Sequence, residues 1–207
     1  MYELFAFATP NSIKPAILLE ELALPWQLRG INIRQGEQNQ DAFLALNPNG
    51  KVPVLHDPDN EMVLRESAAI LVYLAEKHAN LLPSGGKPRA RVFEQLFFHA
   101  SAVSPAFGQA GFFTRPAHEP QPLAQARFNQ EAIRVTRLLE RQLAATRWVA
   151  GDEYTIADIA HYGWMWRRQF AGISLEEMPH LKHWFETLSA RPAVVRAVAK
   201  LNALTEN

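Results

Sequence analysis

A proline stands inside a short apolar run that otherwise has the composition of a buried strand. Val52, Val54 and Leu55 are apolar, whereas Pro53 among them has no N–H to donate to a sheet. A cis Val52–Pro53 bond where the strand begins resolves the conflict, because it bends the chain sharply at that point. Such a bend leaves the Val52 N–H and C=O to pair with an extended peptide. The alternative is an ordinary proline at a strand edge.

A second feature lies at residues 64–70, where the end of a strand runs into a helix. Ser67 opens this helix and Glu66 precedes it. A serine hydroxyl and backbone N–H groups at a helix start form a site for a carboxylate. Together with the bend at Pro53, they predict a backbone clamp and an anion site for a peptide-like ligand. The alternative is that Ser67 is an ordinary N-cap.

The composition excludes several other kinds of site. Lys and Arg number 21 and balance 21 Asp and Glu, so the charge does not favour a nucleic acid or an anionic membrane as a partner. The chain has no cysteine, which excludes a disulfide framework, a thiolate zinc site and a dithiol reaction by the protein itself. We expect no metal. Without a basic leader or a long apolar run, we expect a cytoplasmic protein.

The first part of the chain predicts an α/β fold. A strand, a helix and a strand come first and indicate a parallel pair with a right-handed crossover. A hairpin and a helix follow, since Asp57–Asn60 has strong turn chemistry. The order βαβ then ββα is that of a thioredoxin-like domain. The predicted elements are strands at 2–8, 26–33, 52–55 and 62–64, and helices at 13–24 and 67–78.

An all-helical part is expected beyond a linker rich in proline and glycine. We predict a thioredoxin-like domain at residues 1–80, a linker at 81–88 and a helical bundle at 89–207. Within the bundle, Thr155 and Asp158 have the spacing of a capping box, which makes Asp158 structural rather than catalytic.

Two long helices are predicted in this bundle from the spacing of apolar residues, at 89–110 and 122–145. The segment 108–122 between them is expected to be a loop. Its aromatic side chains either line the mouth of a pocket or pack beneath the loop. The residues concerned are Phe112, Phe113 and His118.

The two segments described first resemble the glutathione-binding half of the cytosolic glutathione transferases, and the resemblance covers nearly the whole chain. The residues that carry it are Gly50, Lys51, Val52, Pro53, Val54, Leu55, Glu66, Ser67, Ala68, Ala69 and Ile70. It implies a glutathione-dependent enzyme with a thioredoxin-like domain and a helical domain.

In a thioredoxin-like fold the reactive group lies in the turn after the first strand, here residues 9–12. Because the chain has no cysteine, the sulfur must come from the ligand, and glutathione supplies it. A free thiol has a pKa of about 8.5, so hydrogen-bond donors are needed to favour the thiolate at neutral pH. Thr9 and Asn11 are the candidate catalytic donors, and Ser12 is the third. The alternative is that all three only cap the following helix.

The run Thr9, Pro10, Asn11 resembles the bacterial Ure2-like, or nu-class, transferases, which hold two glutathione molecules or glutathione disulfide in one site. This resemblance implies that Thr9 and Asn11 contact the sulfur region. The other contacts it implies are Lys51 with the glycine carboxylate, Val52 with the cysteinyl backbone, Glu66 and Ser67 with the γ-glutamyl group, Pro53 and Gln38 as further contacts, and Arg134 with a carboxylate across a dimer interface.

The function implied is that of a homodimeric enzyme in which bound glutathione thiolate attacks a disulfide, a peroxide or an electrophilic carbon. For this branch we expect disulfide reduction, with weak conjugation of aryl halides or peroxidase activity beside it. One alternative is a regulatory module that binds glutathione without turnover. Another is an interaction domain that does not bind glutathione.

Overall fold

The computed structural model describes residues 1–115 and 119–205, which form two compact units. The first unit comprises Met1–Leu82 together with the chain from Ser189 onward, and the second comprises Pro83–Leu188. The described residues contain four strands and nine α-helices: β1 Tyr2–Ala6, α1 Ile13–Glu21, β2 Trp26–Gly30, α2 Asp41–Leu46, β3 Val54–Asp57, β4 Met62–Arg65, α3 Ser67–Lys77, α4 Gly86–Phe98, α5 Ser104–Phe113, α6 Pro122–Ala145, α7 Ile156–Trp166, α8 Pro179–Ser189 and α9 Pro192–Ala203. No described helix is long and apolar enough to cross a membrane.

The first unit is built on a mixed sheet in the order β2, β1, β3, β4. The β1 and β2 strands run parallel, whereas β1 with β3 and β3 with β4 run antiparallel. On β1 the buried Tyr2, Leu4 and Ala6 alternate with half-buried neighbours, because successive strand residues point to opposite faces. The predicted βαβ then ββα order and its thioredoxin-like fold are confirmed.

The C-terminal helix α9 belongs to this first unit, which differs from the division expected at residues 89–207. Its buried face packs on α1, and Val194 and Leu201 are almost inaccessible to solvent. Charged pairs flank this contact: Arg196 Nε lies 2.6 Å from a carboxylate oxygen of Glu20. An amphipathic helix needs an apolar surface to cover, and its own sequence does not say which one.

In the second unit, the helix expected at 89–110 starts earlier and runs further. Helix α4 continues through a π-helical turn at His99–Val103 into α5, so residues 108–113 are helical and not part of a loop. Pro105 in the first turn of α5 lacks an N–H to donate to the preceding turn, and the wider π turn accommodates this gap. Phe113 stacks on Phe128 with ring centroids 5.4 Å apart. The prediction for His118 lies outside the described residues.

The capping box predicted before α7 is present. Thr155 is the N-cap, and its N–H donates to Asp158 Oδ2 at 3.0 Å. Asp158 is fully buried and also accepts from the Val149 N–H and the Trp184 indole N–H, at 3.0 and 2.9 Å. Burial raises the pKa of Asp158 to about 6, against the lowering effect of these donors. Asp158 thus links the start of α7 to the segment before it and to α8.

Candidate functional site

The turn between β1 and α1 is held by a small hydrogen-bond network. The Ser12 N–H donates to Thr9 Oγ1 at 3.1 Å, and the hydroxyl oxygens of Thr9 and Ser12 share a hydrogen bond of 2.9 Å. The buried Ser12 Oγ also accepts from the Phe7 N–H at 3.5 Å. Thr9 therefore stabilises the turn, but Ser12, the N-cap of α1, makes no side-chain capping bond, and Thr9 and Asn11 remain partly exposed.

Asn11 is bound by a residue that the sequence analysis did not single out. Lys14, on the first turn of α1, donates from Nζ to Asn11 Oδ1 at 2.7 Å and to Ser67 Oγ at 3.2 Å. Its side chain is 1% exposed. Burial lowers the pKa of Lys14 to about 7, and the nearby Glu66 carboxylate acts in the opposite direction. A titratable group in the core points to a functional site. The burial of Lys14 is visible in the tertiary structure and not in the sequence.

Ser67 is the first residue of α3 and not its N-cap. The N-cap is Glu66, which makes no side-chain capping bond. Glu66 has φ 66° and ψ 113°, a conformation that costs a non-glycine residue about 1 kcal/mol or more. Backbone strain of this kind clusters at ligand sites. The N-cap alternative for Ser67 is therefore wrong, and its hydroxyl meets Lys14 instead.

The Val52–Pro53 peptide bond is cis, as the sequence predicts. Strand β3 begins directly after it at Val54. Among the described residues, neither the N–H nor the C=O of Val52 takes part in a backbone hydrogen bond. The loop before it is braced by Asn47, whose amide Nδ2 donates to the Lys51 carbonyl at 2.6 Å. The Val52 backbone is thus held in place, and its N–H and C=O are available for hydrogen bonds.

Gln38 and Gly50 lie close together beside this loop. A Cβ added to Gly50, which has φ 63°, would lie 3.4 Å from the Gln38 carbonyl oxygen. The Gln38 side-chain Oε1 is buried and has no hydrogen-bond partner among the described residues. Buried polar atoms are rarely left unpaired, so this oxygen has the capacity to accept a further hydrogen bond. Lys51 is exposed.

The sheet brings these segments to one edge. Phe5 near the end of β1 pairs with Val54 at the start of β3, and Val54 pairs with Arg65 at the end of β4. The turn 7–12 follows the end of β1, the cis bond precedes the start of β3, and Ser67 follows the end of β4. Arg134 belongs to α6 of the second unit, where it is exposed and bonded to Glu131 at 2.7 Å.

Chemically, this edge offers hydroxyl and amide groups, a strand backbone and a helix start. Within residues 1–115 and 119–205, no group of three His, Asp or Glu side chains is arranged to hold a metal ion. The arrangement suits an extended peptide that carries a carboxylate at one end and a polarisable group at the turn.

Comparisons with known proteins give the same family at both ends of the chain. Residues 8–77 match the family model of the glutathione S-transferase N-terminal domain, and residues 98–192 match that of the C-terminal domain. The disulfide-bond oxidoreductase YfcG of Escherichia coli is 35% identical, over 97% of this chain and 95% of that protein.

Two solved structures are similar along nearly their whole length. One is a glutathione transferase homologue from Lodderomyces elongisporus with two glutathione molecules per subunit (31% identity, TM-score 0.90, covering 96% of this chain and 97% of that one). The other is the transferase URE2P8 from Phanerochaete chrysosporium with oxidised glutathione (30% identity, TM-score 0.92, covering 100% and 97%). The chain belongs to the glutathione S-transferase family.

Proposed function

We propose that this protein is a glutathione-dependent disulfide-bond reductase. The observation that carries the proposal is the convergence, at one sheet edge, of a donor-bearing turn without cysteine, the unpaired Val52 backbone and the start of α3. A thioredoxin-like site without its own sulfur needs a thiol ligand. The relatives named above, one of which holds two glutathione molecules and another oxidised glutathione, support glutathione in this role.

Glutathione would lie across the sheet edge as an extended peptide. Its cysteinyl backbone pairs with Val52 N–H and C=O, in the manner of an added strand, and the cis Pro53 directs this segment. The γ-glutamyl carboxylate takes the Ser67 hydroxyl and the first N–H groups of α3, while Glu66 accepts from the γ-glutamyl amine. The glycine carboxylate lies toward Lys51, with Gln38 as a further contact.

The turn would favour the thiolate of the bound glutathione. Hydroxyl protons rotate, so the bond between the two hydroxyls can run from Ser12 to Thr9. Phe7 N–H then donates to Ser12, Ser12 to Thr9, and Thr9 to the sulfur, while Asn11 donates from its amide. Lowering a thiol pKa by about two units needs roughly 2.7 kcal/mol. Two donors to a charged acceptor, each worth about 1.5 kcal/mol, supply this amount.

The reaction proceeds by two thiol–disulfide exchanges. The bound thiolate attacks one sulfur of the substrate disulfide, forms a mixed disulfide with it and releases the other sulfur as a thiolate, which takes up a proton. A second glutathione thiolate attacks the glutathione sulfur of the mixed disulfide, giving glutathione disulfide and the second substrate thiol. The protein orients the two sulfurs and stabilises the charge. Weak conjugation of aryl halides, or peroxide reduction, would use the same thiolate.

We further propose that the enzyme acts as a cytoplasmic homodimer. The second unit exposes large apolar side chains on α4 and α6, including Phe97 at 68% and Leu123 at 86%. We assign these side chains to a dimer interface, since contiguous apolar patches mark sites of protein interaction. Arg134 is exposed on the same helix as Leu123 and would reach a glutathione carboxylate of the neighbouring subunit. Sedimentation of the purified protein tests the dimer.

The test of function is the steady-state rate of glutathione-dependent reduction of a small disulfide, compared with conjugation of an aryl halide by the same preparation. We expect disulfide turnover well above the uncatalysed rate and faint conjugation. Dominant conjugation would overturn the assignment as a reductase while keeping the glutathione site. Binding of glutathione without turnover in either assay would support the regulatory alternative instead.

A further inference from the structure

Lys14 occupies a position that disfavours a positive charge in two ways. It is buried, with 1% of its surface exposed, and it lies in the first turn of α1, where the helix dipole repels a cation. The charged group that offsets this cost is Glu66, from the turn before α3. A buried ammonium is expensive, so its contacts are expected to serve the site rather than the fold.

The contact with Asn11 determines which end of the Asn11 amide faces the ligand. A lysine ammonium has donors and no acceptor, so the amide atom 2.7 Å from Nζ must be the oxygen. The Asn11 Nδ2, with its two N–H donors, is consequently turned away from Lys14. Asn11 is partly exposed, and Nδ2 is the end that remains for a ligand.

The contact with Ser67 has the same effect on a hydroxyl. Lys14 Nζ lies 3.2 Å from Ser67 Oγ and donates to it. The Ser67 hydroxyl accepts this bond, so its own hydrogen is directed elsewhere. One ammonium therefore imposes donor character on two groups 56 residues apart in sequence, at positions 11 and 67.

We propose that Lys14 is a positioning residue that fixes Asn11 and Ser67 as hydrogen-bond donors toward two anionic groups of glutathione, the thiolate and the γ-glutamyl carboxylate. This inference rests on the proposed function and adds a residue to it. Lys14 acts through its two neighbours and does not itself contact the reacting sulfur.

The protonation of Lys14 is coupled to ligand binding in this arrangement. With a pKa of about 7, the buried amine is partly neutral near pH 7 when no ligand is bound. Two negative groups brought to Asn11 and Ser67 favour the ammonium, so binding raises the pKa of Lys14. The ammonium in turn prevents the Asn11 amide from presenting its oxygen to the thiolate.

The test compares Lys14→Met with Lys200→Met, a lysine-to-methionine change on the exposed side of α9 in the same unit. The readout is the pKa of the glutathione thiol on the enzyme, followed by the ultraviolet absorbance of the thiolate, together with kcat and KM for disulfide reduction. We expect Lys14→Met to raise the thiol pKa by about one unit or more, and Lys200→Met to leave it unchanged. An unchanged thiol pKa in folded Lys14→Met would overturn the proposal.

A double variant separates positioning from a direct effect of the charge. If Lys14 acts on the thiol through Asn11, the thiol pKa in Lys14→Met with Asn11→Ala equals that in Asn11→Ala alone. A further rise in the double variant would overturn the positioning role.

A measurement on the unmodified protein covers the case in which Lys14→Met does not fold. NMR titration of the Lys14 Cε signal should show a higher midpoint with glutathione bound than without it. Binding without a shift of the midpoint would overturn this inference alone. Absence of glutathione binding by the unmodified protein would instead overturn the proposed function, and this inference with it.

Discussion

The Arg191 guanidinium holds the Glu21 carboxylate through two hydrogen bonds of 2.6 and 2.9 Å, although the two residues are 170 positions apart. Glu21 ends α1, and Arg191 immediately precedes α9. The pair is largely shielded, with 11% of the Glu21 side chain and 33% of the Arg191 side chain exposed. The pair connects α9 to α1, and α1 also carries Lys14.

Arg191→Ala is therefore expected to destabilise the protein. Removal of one partner leaves a largely buried carboxylate without its fork of donors, at a cost of about 1–3 kcal/mol in the free energy of unfolding. Urea denaturation measures this change. Arg91→Ala is the matched control, because the Arg91–Glu94 pair is well exposed and should contribute less than about 0.5 kcal/mol. Equal losses in the two variants would contradict the role of the Glu21 pair.

Replacement of two glycines on α5 by alanine should change the stability of the protein in opposite directions. A Cβ on Gly111 would lie 2.0 Å from Cε1 of Phe170, so the ring must move, and we expect a loss of about 2–3 kcal/mol. A Cβ on Gly108 would have Trp164 at 3.8 Å as its nearest neighbour, which is an ordinary contact. Gly108→Ala should add up to about 1 kcal/mol through helix propensity. Thermal unfolding of both variants measures these changes, and destabilisation by Gly108→Ala would show that α5 is packed differently.

Thr9→Ala should lower turnover more than glutathione affinity. The proposed bond from Thr9 is made to the thiolate, so its loss raises the barrier by about 2 kcal/mol and leaves the rest of the ligand bound as before. The measurement is kcat for disulfide reduction beside the dissociation constant of glutathione. Thr9→Ser, which keeps the hydroxyl, should retain most of the rate. Equal losses in rate and affinity for Thr9→Ala would contradict this role.

The stability of the ligand-free protein should depend on pH through Lys14. The pKa of Lys14 is about 7 in the folded state and about 10.4 in an unfolded chain, so between these values the unfolded state binds the extra proton. This group therefore adds stability as pH rises through that window. Relative to Lys14→Met, the unmodified protein should gain ~2 kcal/mol between about pH 7 and pH 9.

Urea denaturation at the two pH values measures this difference. The same comparison with Lys200→Met should be nearly flat, because Lys200 is half exposed. A flat difference for Lys14→Met as well would mean that Lys14 titrates near its normal pKa.

Parts of both units could be predicted from local patterns. Pro53 inside an apolar run indicated a cis bond, the strand and helix order indicated the thioredoxin-like fold, and the spacing of Thr155 and Asp158 indicated a capping box. These features depend on residues within a few positions of one another, where the geometry of the chain is fixed by sequence alone.

The π turn at 99–103 was not predicted, because that stretch has the pattern of an ordinary helix. The helical state of residues 111–113 was also missed, because the three prolines of the segment 108–122 indicated a loop. The position of α9 was also missed. Its amphipathic pattern requires a partner surface but does not identify α1 as that surface.

The sequence by itself determined which groups are available: a chain without cysteine, a donor-rich turn, a strand opened at Pro53 and a helix that starts at Ser67. The tertiary structure alone decided what Lys14 does. In the sequence it is one lysine in the first turn of a helix, where solvent exposure is the ordinary expectation. Packing of the turn and of α3 against it removes water from the amine, brings Asn11 and Ser67 within hydrogen-bond distance and lowers its pKa. Desolvation depends on all neighbours in space, which is why no local pattern could reveal it.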